Sequence, residues 1–215
     1  MQAPDDAPGL PFDAVLCDVD GVIRCYDDDV LARLEERVGL PVGTTEGIAF
    51  GPQHAERLVL GWITREEWAR AIVEDLGPDV APADALALAR ALTHATARVD
   101  DAVVTLLRRA RQRVPVVLVS NATPWLADDL VTLGLGDLAD DVVNSSLVGV
   151  AKPDPRIYEI AAARAGVPVD RCLFVDDREE NVAAAVALGM TGVLHRSAAG
   201  LERALGAVLG STPLG

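Results

Sequence analysis

The chain has 215 residues, of which 33 are acidic and 19 basic, giving a formal net charge of −14. This acidic balance argues against nucleic acid or an anionic membrane as a partner. Half of the residues are hydrophobic and the length suits one domain, alone or with a smaller insert, which excludes disordered and fibrous chains. No apolar run approaches the roughly 18 residues that cross a bilayer, and residues 1–11 lack the pattern of a targeting signal. We therefore expect a cytoplasmic protein without a membrane partner, and no pattern sets an oligomeric state.

The basic residues and the cysteines narrow the chemistry further. Lys152 is the single lysine of the chain, and Pro153 follows it, so the GK[ST] triplet of a Walker A loop is absent. The three cysteines show no CxxC spacing, which argues against a disulfide framework or a zinc site. These cysteines are Cys17, Cys25 and Cys172.

Five short apolar runs rich in β-branched residues, with helical stretches between them, predict an α/β fold. We interpret them as a Rossmann-like, doubly wound parallel sheet. The predicted strands are Ala14–Cys17, 114–119, 142–150 with a polar interruption, 172–175 and 192–194.

The stretch from about residue 26 to 98 shows helical periodicity and no convincing strand. It follows the first strand directly, so we interpret it as an all-helical insert. The sheet domain is then discontinuous, made of residues 1–24 and 99–215, and the insert covers residues 25–98.

Each of the first four predicted strands ends in a polar cluster. Because the carboxyl ends of parallel strands lie along one edge, where open α/β folds bind ligands, we expect the four clusters to converge. Converging carboxylates repel one another unless a cation lies among them, and hard oxygen ligands favour Mg²⁺. A lysine beside such a site suits a phosphate group. The clusters are Asp18-Val19-Asp20-Gly21, Ser120-Asn121, Lys152-Pro153-Asp154 and Asp176-Asp177.

These residue types match the roles that phosphoryl transfer requires. Asp18 is the candidate nucleophile, whose carboxylate attacks phosphorus to give an aspartyl-phosphate. Asp20 is the candidate acid, which donates a proton to the leaving group and then acts as base toward water. Gly21 allows the chain to turn sharply directly after Asp20.

The remaining clusters supply phosphate and metal binding. The Ser120 hydroxyl and the backbone N–H groups beside it, at Asn121, are candidates for binding phosphoryl oxygens. Lys152 adds a compact positive charge. Asp176 and Asp177 are candidates for holding the metal, directly or through water.

The motifs DVDGV (18–22), SNAT (120–123), KPDP (152–155) and FVDD (174–177) resemble those of the haloacid dehalogenase (HAD) superfamily of phosphohydrolases. Each motif alone is weak evidence for the family, but four motifs in this order are a specific match. The resemblance covers nearly the whole sheet domain. It implies that Asp18 is both nucleophile and metal ligand, and that the backbone carbonyl of Asp20 also binds the metal. The insert resembles the helical cap that closes over the substrate in this superfamily. The adjacent acids of the fourth motif resemble the subgroup containing the phosphatase domain of soluble epoxide hydrolases.

We therefore expect an enzyme, a Mg²⁺-dependent phosphatase acting on a small phosphorylated metabolite through an aspartyl-phosphate. A phosphomutase of the same superfamily uses the same residues and stays an alternative. A non-catalytic phosphate-binding module is the alternative from another class, and the intact set of acids argues against it.

Overall fold

The computed structural model describes residues 10–26 and 29–210. Strands and helices are numbered separately in chain order. The strands are β1 (Ala14–Cys17), β2 (Arg24–Tyr26), β3 (Ala97–Val99), β4 (Val116–Ser120), β5 (Asp141–Asn144), β6 (Cys172–Asp176) and β7 (Thr191–Leu194). The helices are α1 (Asp29–Arg37), α2 (Thr44–Ala49), α3 (Ala55–Val59), α4 (Arg65–Leu76), α5 (Pro82–Thr93), α6 (Asp101–Arg111), α7 (Leu126–Thr132), α8 (Ser145–Val148), α9 (Pro155–Ala165), α10 (Glu179–Ala187), α11 (Ala198–Ala204) and α12 (Gly206–Leu209).

Five of these strands form one sheet in the order β5-β4-β1-β6-β7, and every neighbouring pair is parallel. The helices α6 and α11 pack on one face of the sheet, and α9 and α10 pack on the other. This is the doubly wound α/β arrangement that the apolar runs predict, and the fold prediction is confirmed.

The alternation of side chains along β1 explains why its apolar run is continuous. Val15 and Cys17 belong to the hydrophobic cluster on the α6 side, whereas Ala14 and Leu16 belong to the cluster on the α9 side. A strand covered by helices on both faces buries every side chain, so no polar alternation remains. This packing fixes β1 in the middle of the sheet.

The predicted strand over residues 142–150 is wrong in its second half. The strand β5 ends at Asn144, whose side chain accepts a hydrogen bond from Ser146 N (3.0 Å) and thereby begins the short helix α8. Lys152 consequently follows a helix and a turn, and does not follow a strand directly.

The helices α1 to α5 lie between β2 and β3 in the chain, and we call them the helical insert (residues 29–93). Its buried apolar side chains form two small clusters, and the one that includes Trp68 and Ile72 also packs against Trp125 outside the insert. Thr64 and Glu67 form a capping box that begins α4. The strands β2 and β3 pair antiparallel at the two ends of the insert, so the prediction of no strand near residues 26 and 98 is wrong there. No helix within the described ranges is long and apolar enough to span a bilayer.

Candidate active site

Three adjacent strands carry polar side chains to the carboxyl edge of the sheet. Asp18 follows β1 directly, Ser120 ends β4, and Asp176 ends β6. Because β1 lies between β4 and β6, these three residues occupy neighbouring positions at that edge. All three are buried. The structure thus brings together the ends of the first, second and fourth predicted strands.

Lys152 lies between two of the carboxylates. Its Nζ is 2.8 Å from Oδ1 of Asp18 and 2.7 Å from Oδ2 of Asp176. Burial lowers the pKa of Lys152, but the charges of Asp18 and Asp176 raise it by more, so its net shift is upward. Burial raises the pKa of Asp18, and the ammonium group of Lys152 offsets part of that rise. The buried lysine therefore stays charged and balances part of the negative charge at this edge.

Asp176 is saturated with hydrogen-bond donors. Its Oδ1 accepts from Arg178 N (2.9 Å) and Asn181 Nδ2 (3.0 Å), and its Oδ2 accepts from Lys152 Nζ (2.7 Å). Asn181 is itself buried, on the first turns of α10. These contacts fix the orientation of the carboxylate and direct it toward Lys152. Sequence reasoning missed Asn181, because an isolated asparagine in an Ala-rich helix belongs to none of the four motifs.

The side chain of Asn121 holds the main chain of Lys152. Its Nδ2 donates to Lys152 O (2.8 Å), and its Oδ1 accepts from Lys152 N (2.7 Å). This reciprocal pair joins the end of β4 to the loop before α9, across 31 residues of chain. This contact holds the loop at the sheet edge. The sequence instead predicts that a strand brings Lys152 to that edge.

Gly21 allows the turn after Asp18 to approach Asp177. The backbone of Gly21 has φ +81°, and a Cβ atom built on it would lie 2.2 Å from Asp177 Oδ2. A side chain at position 21 would therefore displace the carboxylate. Burial raises the pKa of Asp177, and the neighbouring Asp176 raises it further.

The three carboxylates have a composition suited to a hard divalent cation. Asp18, Asp176 and Asp177 can each offer one oxygen, and these oxygens lie within 4.8 Å of one another. Oxygen ligands without thiolate or imidazole are the set that Mg²⁺ and Ca²⁺ use. The close approach of Gly21 to Asp177 also brings the turn containing Asp20 to the same place. The residues present therefore fit a magnesium ion.

The hydroxyl group of Ser120 is buried, and its Oγ has no hydrogen-bond partner among the described residues. A buried hydroxyl without a partner is costly unless a ligand completes it. Its position at the end of β4, next to β1, brings it to the same edge as Asp18.

Asp20 is held by Arg24 through both carboxylate oxygens. Arg24 Nε lies 2.6 Å from Asp20 Oδ1, and Arg24 Nη2 lies 3.0 Å from Asp20 Oδ2. The third nitrogen, Nη1, donates to Asp129 Oδ2 at 3.1 Å. The guanidinium group is buried, whereas the Asp20 side chain is 35 % exposed. Sequence reasoning missed Arg24, because nothing in the sequence marks its partner Asp129, 105 residues away.

The helical insert contacts the sheet domain beside this edge. Ser145 Oγ donates to Val59 O at the end of α3 (2.5 Å), and Ser146 O lies against Gly61. A cavity of about 720 Å³ opens next to this contact, with walls from the insert and from the segment around α7. Its walls include Trp62, Arg65, His94, Trp125, Asp129 and Thr132. Asp129 therefore contacts Arg24 on one side and borders the cavity on the other.

Comparisons with known proteins agree with this geometry. The family model for haloacid dehalogenase-like hydrolases matches residues 12–189. A protein of Mycobacterium tuberculosis named as a phosphatase is 29 % identical over 201 residues, covering 86 % of this chain and 88 % of its own. A phosphoglycolate phosphatase of Xanthomonas campestris is 30 % identical over 186 residues, covering 84 % and 81 %.

Among solved structures, a HAD family enzyme of Bacteroides thetaiotaomicron in complex with magnesium and inorganic phosphate superposes with a TM-score of 0.64. It is 22 % identical, and the match covers 86 % of this chain and 94 % of that one. This structural likeness concerns the fold. The family match spans most of the chain, which belongs to the haloacid dehalogenase-like hydrolases. The predicted family and the prediction of a hydrolase are confirmed.

Proposed function

We propose that the chain is a Mg²⁺-dependent phosphatase that hydrolyses a small phosphorylated metabolite through an aspartyl-phosphate on Asp18. The observation that carries this proposal is the placement of Lys152 between Asp18 and Asp176, with Asp177 beside them. The family, with relatives that are named phosphatases, supports a phosphoric monoester hydrolase.

Asp18 is the proposed nucleophile. Its Oδ1 accepts a hydrogen bond from Val19 N (2.7 Å) and contacts Lys152 Nζ (2.8 Å), which leaves Oδ2 to attack phosphorus. The new bond joins this oxygen to phosphorus, and the ester P–O bond breaks. Water then attacks the aspartyl-phosphate, the Asp18–phosphorus bond breaks, and inorganic phosphate is released.

Asp20 is the proposed acid and base. In the first step it donates its proton to the departing ester oxygen, and in the second it accepts a proton from the attacking water. Its position two residues after Asp18, in the turn that Gly21 permits, and its partial exposure support contact with a substrate. Proton transfer of this kind contributes on the order of 10² to 10⁴ in rate.

Ser120 and Lys152 are the proposed ligands of the phosphoryl oxygens. The buried Ser120 hydroxyl has a donor to offer, and Lys152 supplies a charge that its two carboxylate partners keep in place. Asn121 uses both polar groups of its side chain to hold Lys152, so its own contribution to the substrate is proposed to come from its backbone N–H.

Asp18, Asp177 and the backbone carbonyl of Asp20 are the proposed metal ligands. Asp176 already accepts four hydrogen bonds from three donor groups, so we assign it contact with the metal through water. When bound, Mg²⁺ neutralises the repulsion among the carboxylates and the negative charge of the phosphoryl group.

The helical insert is the proposed cap, and residues 25–98 are proposed as the unit that carries it. Its contact with the sheet domain at Val59 and Ser145, beside the carboxyl edge, supports this role. A cap there would exclude water from Asp18 while the ester bond breaks.

The test is hydrolysis of p-nitrophenyl phosphate by the purified chain. We expect turnover that requires Mg²⁺, stops with excess EDTA, and releases nitrophenol and inorganic phosphate in equal amounts. Asp18→Asn should eliminate turnover, whereas the control Asp137→Asn, at a side chain that is 80 % exposed, should retain it. Undiminished activity of Asp18→Asn would refute the nucleophile, and full activity in excess EDTA would refute the metal requirement.

A further inference from the structure

Arg24 is a buried cation that none of the proposed catalytic steps uses. It is 4 % exposed, and it begins β2 directly after the turn that contains Asp20. The turn is closed by backbone hydrogen bonds from Ile23 N and Arg24 N to Val19 O, at 2.8 and 2.9 Å. The backbone position of Arg24 is therefore fixed relative to the residue whose side chain it holds.

The guanidinium group divides its donors between two carboxylates. Two nitrogens contact the two oxygens of Asp20, and the third contacts Asp129 on α7. A planar group bound on two sides cannot rotate without breaking contacts with one carboxylate or the other. Asp129 therefore fixes the plane of the guanidinium group, and this plane fixes the orientation of Asp20.

The two contacts with Asp20 are unequal. Nε lies 2.6 Å from Oδ1, whereas Nη2 lies 3.0 Å from Oδ2. The contact with Oδ1 is therefore the shorter of the two, and the contact with Oδ2 is the longer. Arg24 holds both oxygens of Asp20 in this structure, and release of the Nη2 contact would free Oδ2 while Oδ1 stays bound to Nε.

A second arginine connects this group to the helical insert. Arg65 is the first residue of α4, and its Nη2 lies 3.7 Å from Asp129 Oδ1. Its guanidinium carbon lies 4.7 Å from the centre of the Trp125 ring. Asp129 therefore has an arginine on each side, one from the sheet domain and one from the insert. The Asp129 carboxylate therefore links the insert, through Arg65, to Arg24, which holds Asp20.

We propose that Arg24 is a positioning residue for Asp20, anchored by Asp129, and that it acts on proton donation to the leaving group. The inference rests on the proposed function, in which Asp20 is the acid. Proton donation matters most when the leaving oxygen is strongly basic, as in phenyl phosphate, and least when it is weakly basic, as in p-nitrophenyl phosphate. A displaced Asp20 should therefore slow hydrolysis of phenyl phosphate selectively.

The experiment measures kcat/KM for both substrates, because this ratio reports the steps up to cleavage of the ester bond. Arg24→Met should reduce kcat/KM for phenyl phosphate about 10²-fold, the scale on which misplacement of a reacting group acts. The loss for p-nitrophenyl phosphate should be clearly smaller. Arg24→Lys, which keeps the charge but loses the fork, should recover only part of the loss.

Arg171, whose side chain is 37 % exposed, provides a control outside the site. It forms a two-contact pair of the same kind with Asp13, both contacts at 2.8 Å, at the opposite end of β1 from Asp18. Arg171→Met should therefore change kcat/KM for the two substrates by the same factor. Thermal unfolding of both variants separates loss of folded protein from loss of catalysis.

Two further variants keep the inference testable if Arg24→Met does not fold. Asp129→Asn, which is isosteric, should show the same selectivity for phenyl phosphate with a smaller amplitude. Adding Asp20→Asn to Arg24→Lys should cause no loss beyond that of Asp20→Asn alone, because Arg24 acts through Asp20.

The outcomes separate this inference from the proposed function. Equal losses for both substrates in Arg24→Lys and Asp129→Asn, or fully additive losses with Asp20→Asn, would overturn the positioning role alone. A wild-type protein that hydrolyses neither substrate would overturn the proposed function itself.

Discussion

Lys152 and Asp176 form a buried ion pair in which Nζ lies 2.7 Å from Oδ2 and neither side chain is more than 1 % exposed. Asp176 has further donors in Asn181 and the backbone of Arg178, so the carboxylate holds the lysine and not the reverse. Asp176 therefore fixes the position of the Lys152 ammonium group, and that group contacts Asp18 on its other side.

The first prediction concerns Lys152→Arg. A guanidinium group is larger and planar, and the space between Asp18 and Asp176 is filled by an ammonium group at 2.8 and 2.7 Å. We expect turnover of p-nitrophenyl phosphate to fall by about 10²-fold or more, because a misplaced charge stabilises the phosphoryl group poorly. The exposed Arg156→Lys substitution is the control for arginine–lysine exchange. A fully active Lys152→Arg protein would show that the ammonium group is not required.

The second prediction concerns Asn181→Leu, which removes two hydrogen bonds to Asp176 while keeping the side-chain volume similar. Leaving a buried carboxylate short of donors costs about 1 to 3 kcal/mol of unfolding free energy. We also expect kcat to fall, because Asp176 loses its fixed orientation toward Lys152. Urea unfolding and steady-state kinetics measure the two effects. An unchanged unfolding free energy together with an unchanged kcat would show that Asn181 is not needed to orient Asp176.

The third prediction compares Gly21→Ala with Gly39→Ala. Both glycines have a positive φ, +81° and +79°, so the backbone strain introduced by alanine is similar. Only at Gly21 would the new Cβ meet a neighbour, Asp177 Oδ2 at 2.2 Å, whereas nothing lies within 4 Å at Gly39. We expect Gly21→Ala to raise the Mg²⁺ concentration needed for half-maximal activity, and Gly39→Ala to leave it unchanged. The same Mg²⁺ dependence in both variants would contradict the assignment of Asp177 as a ligand.

The fourth prediction concerns the pH dependence of stability at Asp140. Burial of this carboxylate raises its pKa, but hydrogen bonds from Val116 N (2.9 Å) and Arg111 Nε (2.9 Å) outweigh burial, and the net shift is downward. A carboxylate whose pKa is lower in the folded state stabilises the fold above its ordinary pKa. That contribution is lost as the pH falls through the lowered folded pKa.

The measurement is urea unfolding of the wild type and of Asp140→Asn between roughly pH 3 and 6, a range that spans the ordinary aspartate pKa. The stability difference between them should be largest at the upper end and shrink as the pH falls. A difference that stays constant across the range would show that Asp140 does not contribute in this way.

The sequence predicts the sheet well, because a strand buried on both faces must be apolar throughout. The run Ala14–Cys17 coincides with β1 for this reason. The prediction is wrong after Asn144, where apolar residues continue into α8 and the capping side chain of Asn144 decides the conformation. Hydrophobicity alone does not distinguish a strand from a short buried helix.

The polar partners of the site are harder to predict. Asp18 follows β1 and Asp176 ends β6, so the topology of a parallel sheet brings them together. Arg24 depends on Asp129, and Asn181 on a carboxylate five residues before it. Contacts of this kind are set by how the side chains pack in the folded chain, and neither residue lies in one of the four motifs.

The antiparallel pair of β2 and β3 has a consequence for how this protein can diversify. The chain leaves the sheet domain through Arg24–Tyr26 and returns through Ala97–Val99, in hydrogen-bonded register. Because the chain leaves and returns through this one pair, a change in the length of the segment between β2 and β3 should leave the register of β1 with β4 and β6 unchanged. Such a change would instead alter the contacts of Arg65 with Asp129 and of Val59 with Ser145, and with them the walls of the cavity beside Asp129.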